Sequence, residues 1–173
     1  YLNMNSDTTL MMIFFDGEEA FKEWTSQDSL YGSRHLAEHF SQTPRSPSDS
    51  TTLLDSMKLL ILMDLIGYKN PTFGSLYPQT EAEFEQLCDI EQMLNPNSKN
   101  RIFKSPSRDG IDYYGNQIED DHIPFVELRV KVVHLIVYPF PKIWHQLEDD
   151  GTNIEIDSIK KIMLILAEFV RRY

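Results

Sequence analysis

Three short segments of the chain are almost entirely apolar, at residues 10–15, 59–64 and 132–137. Strands that are covered on both faces have this pattern, whereas strands with one face in water alternate apolar and polar residues. The three segments therefore predict strands of a buried, largely parallel β-sheet.

Apolar residues recur at helical spacing in four other parts of the chain. The spacing predicts helices over about residues 31–41, 81–94 and 125–130, and a longer one over residues 158–172. In the last of these, six apolar side chains form one stripe: Ile159, Ile162, Met163, Leu166, Phe169 and Val170. A helix with one apolar stripe packs that side inward, so we expect it to cover a face of the sheet.

Two polar stretches, residues 42–50 and 95–115, concentrate Ser, Pro, Gly and Asn and are predicted loops. No internal repeat and no linker between separate cores is evident, so residues 1–173 are interpreted as part of a single domain. Strands that alternate with helices predict the α/β class with layered architecture. In such domains functional groups gather where the strands end at their carboxyl side.

The charge balance of the 173 residues argues against two classes of partner. The chain has 27 acidic residues against 16 Lys and Arg, a net charge of −11. This charge repels nucleic-acid phosphates and anionic lipid, and every apolar run is far shorter than the roughly 20 residues that cross a bilayer. Cys88 is the only cysteine, which excludes an internal disulfide and an all-cysteine zinc site.

Glu18 and Glu19 are adjacent acids directly after the first apolar segment. Consecutive residues of a strand point to opposite faces, so one carboxylate could bind a metal ion while the other moves protons. Trp144 and His145 follow the third segment in a Pro-rich loop, and residues 118–124 contain a second group of acids. Acids and a histidine from separate loops could converge on one zinc ion. The alternative for Glu18 and Glu19 is a solvated strand end.

Two further polar residues stand within apolar segments. Asp64 ends the second segment, where an ionised acid is costly unless it is paired, and its alternative role is a helix or turn cap. His134 lies inside the third segment. A buried neutral histidine with a hydrogen-bond partner is favoured there over a metal ligand, so we assign His134 a supporting position behind the site.

His35 and His39 belong to the sequence His-Leu-Ala-Glu-His, which matches the H-x-x-E-H zinc motif. Both histidines flank Leu36 and Phe40, whose side chains should pack on the sheet. A half-exposed helical face is therefore favoured over a metal site at this position.

Several blocks of sequence together resemble the animal glutaminyl-peptide cyclotransferases. They are Ile13-Phe-Phe-Asp-Gly-Glu-Glu-Ala-Phe21, Asp28-Ser-Leu-Tyr-Gly-Ser-Arg-His-Leu36, Asp64-Leu-Ile-Gly67 with Asn70-Pro-Thr-Phe73, Glu119-Asp-Asp-His-Ile-Pro-Phe125, and His134-Leu-Ile followed by Pro139-Phe-Pro-x-x-Trp-His145. The likeness extends from about Leu10 to the end of the chain. It implies a fold similar to zinc aminopeptidases, with a central mixed sheet flanked by helices.

The resemblance also implies the roles of individual residues. The family binds one zinc ion through an Asp, a Glu and a His, and Glu19 and His145 match two of these ligands. The Asp lies in the family upstream of the segment that begins near Leu10, so this chain corresponds to the C-terminal part of the enzyme. Glu18 matches the general acid and base, and Asp64 matches the acid that orients the substrate amine. Asp120 matches the partner of Glu18 in a hydrogen-bonded network of acids. The residues that match the walls of the substrate pocket are Trp24, Ile118, Phe140 and Trp144.

The implied reaction closes an N-terminal glutamine of a peptide or protein into pyroglutamate and releases ammonia. The family further implies a monomer in the secretory pathway or outside the cell. Two alternatives stay open at this point. One is a zinc aminopeptidase of the same fold, in which water is the nucleophile; the other is a peptide-binding relative or fragment without catalytic activity.

Overall fold

A computed structural model of the protein describes residues 7–110 and 118–173. Its helices and strands follow the chain in this order: α1 (Tyr31–Gln42), β1 (Leu60–Asp64), β2 (Phe73–Gly74), α2 (Glu81–Leu94), β3 (Phe103–Lys104), α3 (Pro106–Asp109), α4 (Ile123–Glu127), β4 (Val132–Ile136) and α5 (Ile156–Arg172). Single 3-10 turns cover Pro78–Thr80 and Gly151–Asn153. The described helices are all too short or too polar to cross a membrane.

Most of the predicted elements are confirmed. The second and third apolar segments form β1 and β4, and the helices α1, α2 and α5 lie where their spacing predicts them. The predicted loop at residues 42–50 begins where α1 ends, but residues 95–110 contain β3 and α3. The loop prediction is therefore wrong for β3 and α3. These elements have two and four residues, which are too few to show a periodic pattern of apolar residues in the sequence. Residues 111–115 of that predicted loop lie outside the described residues.

The strand predicted at residues 10–15 is not formed. Four of its apolar side chains are exposed, and the exposed fraction of Phe14 reaches 88%. No residue of this segment makes a backbone hydrogen bond to another described residue. A strand exists only through hydrogen bonds to a neighbouring strand, so an apolar run alone does not establish one.

The described strands form two small sheets instead of one continuous sheet. β1 pairs with β4, and β2 runs parallel to β3 with Phe73 opposite Phe103. Phe73 also forms an antiparallel bridge with Val137. Every residue of β4 is buried, as its continuous apolar pattern predicts.

The described residues divide into two compact units. The first unit contains residues 7–11, 63–110 and 135–173, and its core lies where α2 packs against α5. The side chains buried there include Phe84, Leu87, Ile90, Ile162, Ile165 and Phe169. The stripe of α5 therefore packs on another helix, although Met163, assigned to the same stripe, is exposed.

The second unit contains residues 12–62 and 118–134. In this unit α1 packs against α4 and buries Ala37 and Phe40. The rings of Phe15 and Phe125 also meet, with their centroids 5.9 Å apart. The ring contact places Phe15, at the end of residues 10–15, against α4.

Candidate active site

The acidic segment at residues 16–19 is held against the first turn of α1 by backbone hydrogen bonds. The N–H groups of residues 30, 31 and 32 donate to the carbonyl oxygens of residues 18, 17 and 16, over 2.9, 2.8 and 3.0 Å. The first N–H groups of a helix have no acceptor within the helix, so this segment supplies the missing partners. The backbone that carries Glu18 and Glu19 is therefore fixed by α1.

Glycine makes this close approach possible at two positions. Gly17 has a φ of +61°, in the left-handed region that favours glycine. A Cβ added to Gly32 would lie 2.5 Å from the carbonyl oxygen of Asp16. A side chain at Gly32 would therefore push the acidic segment away from α1.

Glu18 and Glu19 have different surroundings although they are adjacent. Glu18 is half-buried, whereas Glu19 is exposed to solvent. The strand that was expected to separate them is absent, so the two side chains differ in exposure without being on opposite faces of a strand. Two carboxylates with unequal exposure suit two different tasks, and the roles assigned to them stay predictions.

Trp24 lies in an irregular loop that follows the acidic segment, and 38% of its surface is exposed. Its indole N–H donates a hydrogen bond to Oε2 of Glu119 at 2.5 Å. Glu119 stands between Ile118, which is buried, and Asp120. This contact places Trp24 beside the segment that contains Ile118, within the second unit.

Asp120, His122 and His134 form a buried group in the same unit, and the exposed fraction of each is at most 5%. Nε2 of His134 lies 2.8 Å from Oδ2 of Asp120, and the backbone N–H of Asp121 donates to the other carboxylate oxygen at 2.6 Å. The ring centroids of His122 and His134 are 4.1 Å apart. His134 is thus buried and hydrogen-bonded, in the surroundings that its place in an apolar strand predicts.

Burial, and then the neighbouring His134, lower the pKa of the His122 imidazole to about 3. His122 is therefore neutral near pH 7. One nitrogen or oxygen atom from each of the three residues lies within 4.8 Å of the others, and such atoms are zinc ligands in many proteins. The group could hold a cation, but its closest pair is already joined at hydrogen-bond distance, which favours a buried hydrogen-bonded arrangement.

His122 was not singled out from the sequence. Its signal is the run of four polar residues that begins with Glu119 and lies between Ile118 and Ile123; the last three residues of the run are Asp120, Asp121 and His122. All three are buried. Buried polar side chains need hydrogen-bond partners within the protein. A polar run between apolar residues is therefore a clearer sequence signal for this group than its acids alone.

Asp64 is exposed at the end of β1, in the first unit. Its Oδ1 accepts a hydrogen bond from the backbone N–H of Leu65 at 2.8 Å, where the chain turns with a φ of 53° at Leu65. The expectation that Asp64 is an acid in apolar surroundings is therefore wrong, because the strand end opens to solvent. An exposed carboxylate at this position remains able to face a cationic amine.

An aromatic loop follows β4 in the first unit. The rings of Phe140 and Trp144 are 4.6 Å apart, and Trp144 stacks on His145 with centroids 3.8 Å apart and an angle of 19° between the planes. His145 has a φ of 58° and is exposed, and Trp144 is 37% exposed. Half-exposed aromatic side chains of this kind suit a binding surface better than a core.

His35 and His39 lie on one exposed face of α1, with nearly parallel rings 6.4 Å apart. Their exposure agrees with the helical surface that the sequence favours.

The residues assigned to the site divide between the two units: Glu18, Glu19, Trp24, Ile118, Asp120 and His134 belong to the second, and Asp64, Phe140, Trp144 and His145 to the first.

The chain belongs to peptidase family M28, whose sequence profile matches residues 1–170. It is 44% identical to the glutaminyl-peptide cyclotransferase of Bos taurus over 169 residues, which are 96% of this chain and 47% of that protein. The crystal structure of the glutaminyl cyclase from Macrostomum lignano matches with a TM-score of 0.80 and 38% identity, over 92% of this chain and 51% of that one. The chain spans about half the length of these relatives.

A Zn-dependent exopeptidase from Parabacteroides distasonis shares the fold, with a TM-score of 0.65 and 21% identity over 92% of this chain and 53% of that one. These comparisons confirm the resemblance to glutaminyl-peptide cyclotransferases. They also confirm the α/β class and the similarity in fold to exopeptidases.

Proposed function

We propose that the protein containing this chain is a zinc-dependent glutaminyl-peptide cyclotransferase. It would cyclise the N-terminal glutamine of peptides and proteins to pyroglutamate and release ammonia. The observation that carries this proposal is the 44% identity to the bovine cyclotransferase along 96% of the chain. By the same likeness we expect a monomer in the secretory pathway or outside the cell.

The reaction needs a group that moves protons. The α-amine of the glutamine attacks its own γ-carboxamide, and an ammonium ion cannot attack. A base must therefore take a proton from the amine, and an acid must give one to the departing nitrogen. We assign both steps to Glu18, which is half-buried on a backbone fixed by α1. A positioned acid and base contributes about 10²- to 10⁴-fold to such a rate.

We propose Glu19 and His145 as two ligands of one zinc ion, on the strength of the matching sequence blocks. A carboxylate and an imidazole suit zinc, and both side chains are exposed in this structure. When bound, zinc would polarise the γ-carbonyl oxygen. The resemblance implies an Asp as the third ligand.

The remaining residues would bind and orient the substrate. Asp64 offers an exposed carboxylate to the protonated amine, and Asp120 would support Glu18 from within its buried group. Trp24, Ile118, Phe140 and Trp144 would hold the folded glutamine side chain. Because the nucleophile and the carbonyl belong to one residue, holding that conformer supplies much of the rate. The net charge of −11 favours peptides with a cationic N-terminus.

A hybrid enzyme tests this proposal. In it, the part of the bovine cyclotransferase that matches this chain is replaced by the chain, and the bovine protein serves as the control. Release of ammonia from a Gln-peptide, together with formation of pyroglutamate by mass spectrometry, is the expected result. Hydrolysis of a Leu-peptide instead would identify an aminopeptidase. Binding of the Gln-peptide without release of ammonia would identify a non-catalytic relative.

A further inference from the structure

We propose that Asp28 is a positioning residue for Trp24, and that Asp28 and Glu119 together fix the position of this wall of the substrate pocket. The inference rests on the proposed function only where it concerns substrate. Its structural part concerns the loop at residues 21–28, for which neither the motifs nor the family resemblance assign a role to Asp28 or Glu119.

The carboxylate of Asp28 closes this loop on itself. Its Oδ1 accepts the backbone N–H of Phe21 at 2.8 Å, and its Oδ2 accepts those of Lys22 and Glu23 at 2.9 and 3.0 Å. The hydroxyl of Tyr31, in the first turn of α1, also donates to Oδ1 at 2.8 Å. One side chain thus holds three consecutive backbone groups immediately before Trp24 and ties them to α1.

These hydrogen bonds favour the ionised carboxylate. They lower the pKa of Asp28 to about 2, the largest cause being the backbone N–H of Glu23. An amide in place of the carboxylate cannot reproduce this arrangement, since its NH2 group cannot accept hydrogen bonds. Asp28→Asn therefore removes at least one of the acceptors without changing the size of the side chain.

The other side of the loop is also anchored. The guanidinium of Arg34 donates to the carbonyl oxygens of Ser26 and Gln27 at 3.0 and 3.3 Å. The indole of Trp24 is tied to Glu119 at 2.5 Å. The loop has no regular secondary structure and residues 21–27 are exposed, so these contacts take the place of core packing.

This anchoring has a consequence for binding. A half-exposed tryptophan on a mobile loop would lose conformational entropy when a substrate packs against it. Asp28 holds the backbone and Glu119 holds the indole, so the side chain is ordered before substrate arrives. Asp28 therefore acts through Trp24 on the binding of substrate and makes no contact with the reacting atoms.

The first readout needs no turnover. Trp24 and Trp144 are the two tryptophans, so Trp144→Phe leaves Trp24 as the only indole fluorophore in this chain. In that background we expect Asp28→Asn to raise the rate constant of acrylamide quenching about twofold or more. Glu119→Ala should do the same, whereas Glu119→Gln keeps an acceptor oxygen and should quench like its parent.

Asp55→Asn is the matched control. Asp55 caps an exposed turn in the same unit, where its Oδ2 accepts the N–H and the hydroxyl of Thr52, both at 2.8 Å. Its loss should leave quenching of Trp24 unchanged. Equal quenching in Asp28→Asn and Asp55→Asn, with both proteins folded by circular dichroism, would overturn the structural part of the inference. If Asp28→Asn does not fold, the comparison of Glu119→Ala with Glu119→Gln tests the anchoring of Trp24 instead.

The second readout uses the hybrid enzyme with Trp144 intact. Asp28→Asn should raise KM for Gln-peptides about tenfold with a smaller fall in kcat, because Trp24 must then be ordered when the substrate binds while the proton-transfer groups are unchanged. A fall in kcat at constant KM would overturn the assignment of Asp28 to substrate positioning. If the unmodified hybrid does not cyclise Gln-peptides at all, the proposed function fails, while the quenching result still decides the position of Trp24.

Discussion

At the scale of single residues, the acidic pair shows how backbone hydrogen bonds to a helix N-terminus fix two neighbouring residues whose side chains differ in exposure. The N-terminal turn of α1 holds this segment, in which Glu18 is half-buried and Glu19 is exposed. A carboxylate on a fixed backbone can be positioned to move protons, which is the task proposed for Glu18.

Glu18→Gln in the hybrid enzyme should lower kcat for Gln-peptides by at least about 100-fold, because the amide cannot accept a proton. Zinc content should stay as in the parent. Glu23→Gln is the control, since it removes an exposed carboxylate from the same stretch of chain. Turnover close to that of the parent would show that Glu18 is not the base.

Cys88 should be chemically inert in the folded protein. It is buried in α2, and burial raises the pKa of its thiol to about 12. Only the thiolate reacts, so near pH 8 the folded chain should not be labelled by a thiol reagent, while the chain unfolded in urea should be. Rapid labelling of the folded chain would contradict the placement of α2 in the core of the first unit.

At the scale of elements, the spacing of apolar residues predicts the helices that are long enough to show the helical repeat. The helices α1, α2 and α5 each cover at least 12 residues, so the repeat is visible. β2 and β3 have two residues each and depend on partners distant in sequence. The strand prediction for residues 10–15 is also wrong because a strand needs a partner. An apolar run does not show whether a neighbouring strand is present.

The link between α2 and β3 depends on one buried carboxylate. Glu91 accepts the backbone N–H groups of Ile102 and Phe103 at 2.6 and 2.9 Å. Glu91→Ala would leave two buried donors without an acceptor, so the free energy of unfolding should fall by about 2–4 kcal/mol. Urea denaturation measures this change.

Gln86→Ala is the control for Glu91→Ala. Gln86 is exposed on the same helix, and its removal should change the free energy of unfolding by less than about 0.5 kcal/mol. A loss below about 1 kcal/mol for Glu91→Ala would show that Glu91 does not join α2 to β3.

At the scale of the whole molecule, the candidate site is only partly visible in sequence. Glu18 and His145 enter the candidate site from the sequence because each follows an apolar segment. Residues 10–15 form no strand, and the roles of both residues stay predictions. The pairing of Asp120 with His134 is not found, since nothing in their spacing shows that they meet. Asp28 is missed as well, because it acts on backbone N–H groups that every sequence contains.

The zinc content of the hybrid enzyme tests the central claim most directly, because the proposal assigns two ligands of one ion to Glu19 and His145. Metal analysis of the purified hybrid should find about one zinc per molecule, and Glu19→Gln or His145→Ala should remove most of it. Glu23→Gln should retain it. Zinc content unchanged by both ligand substitutions would contradict the account, and the Asp120, His122 and His134 group would be the next place to look for the metal.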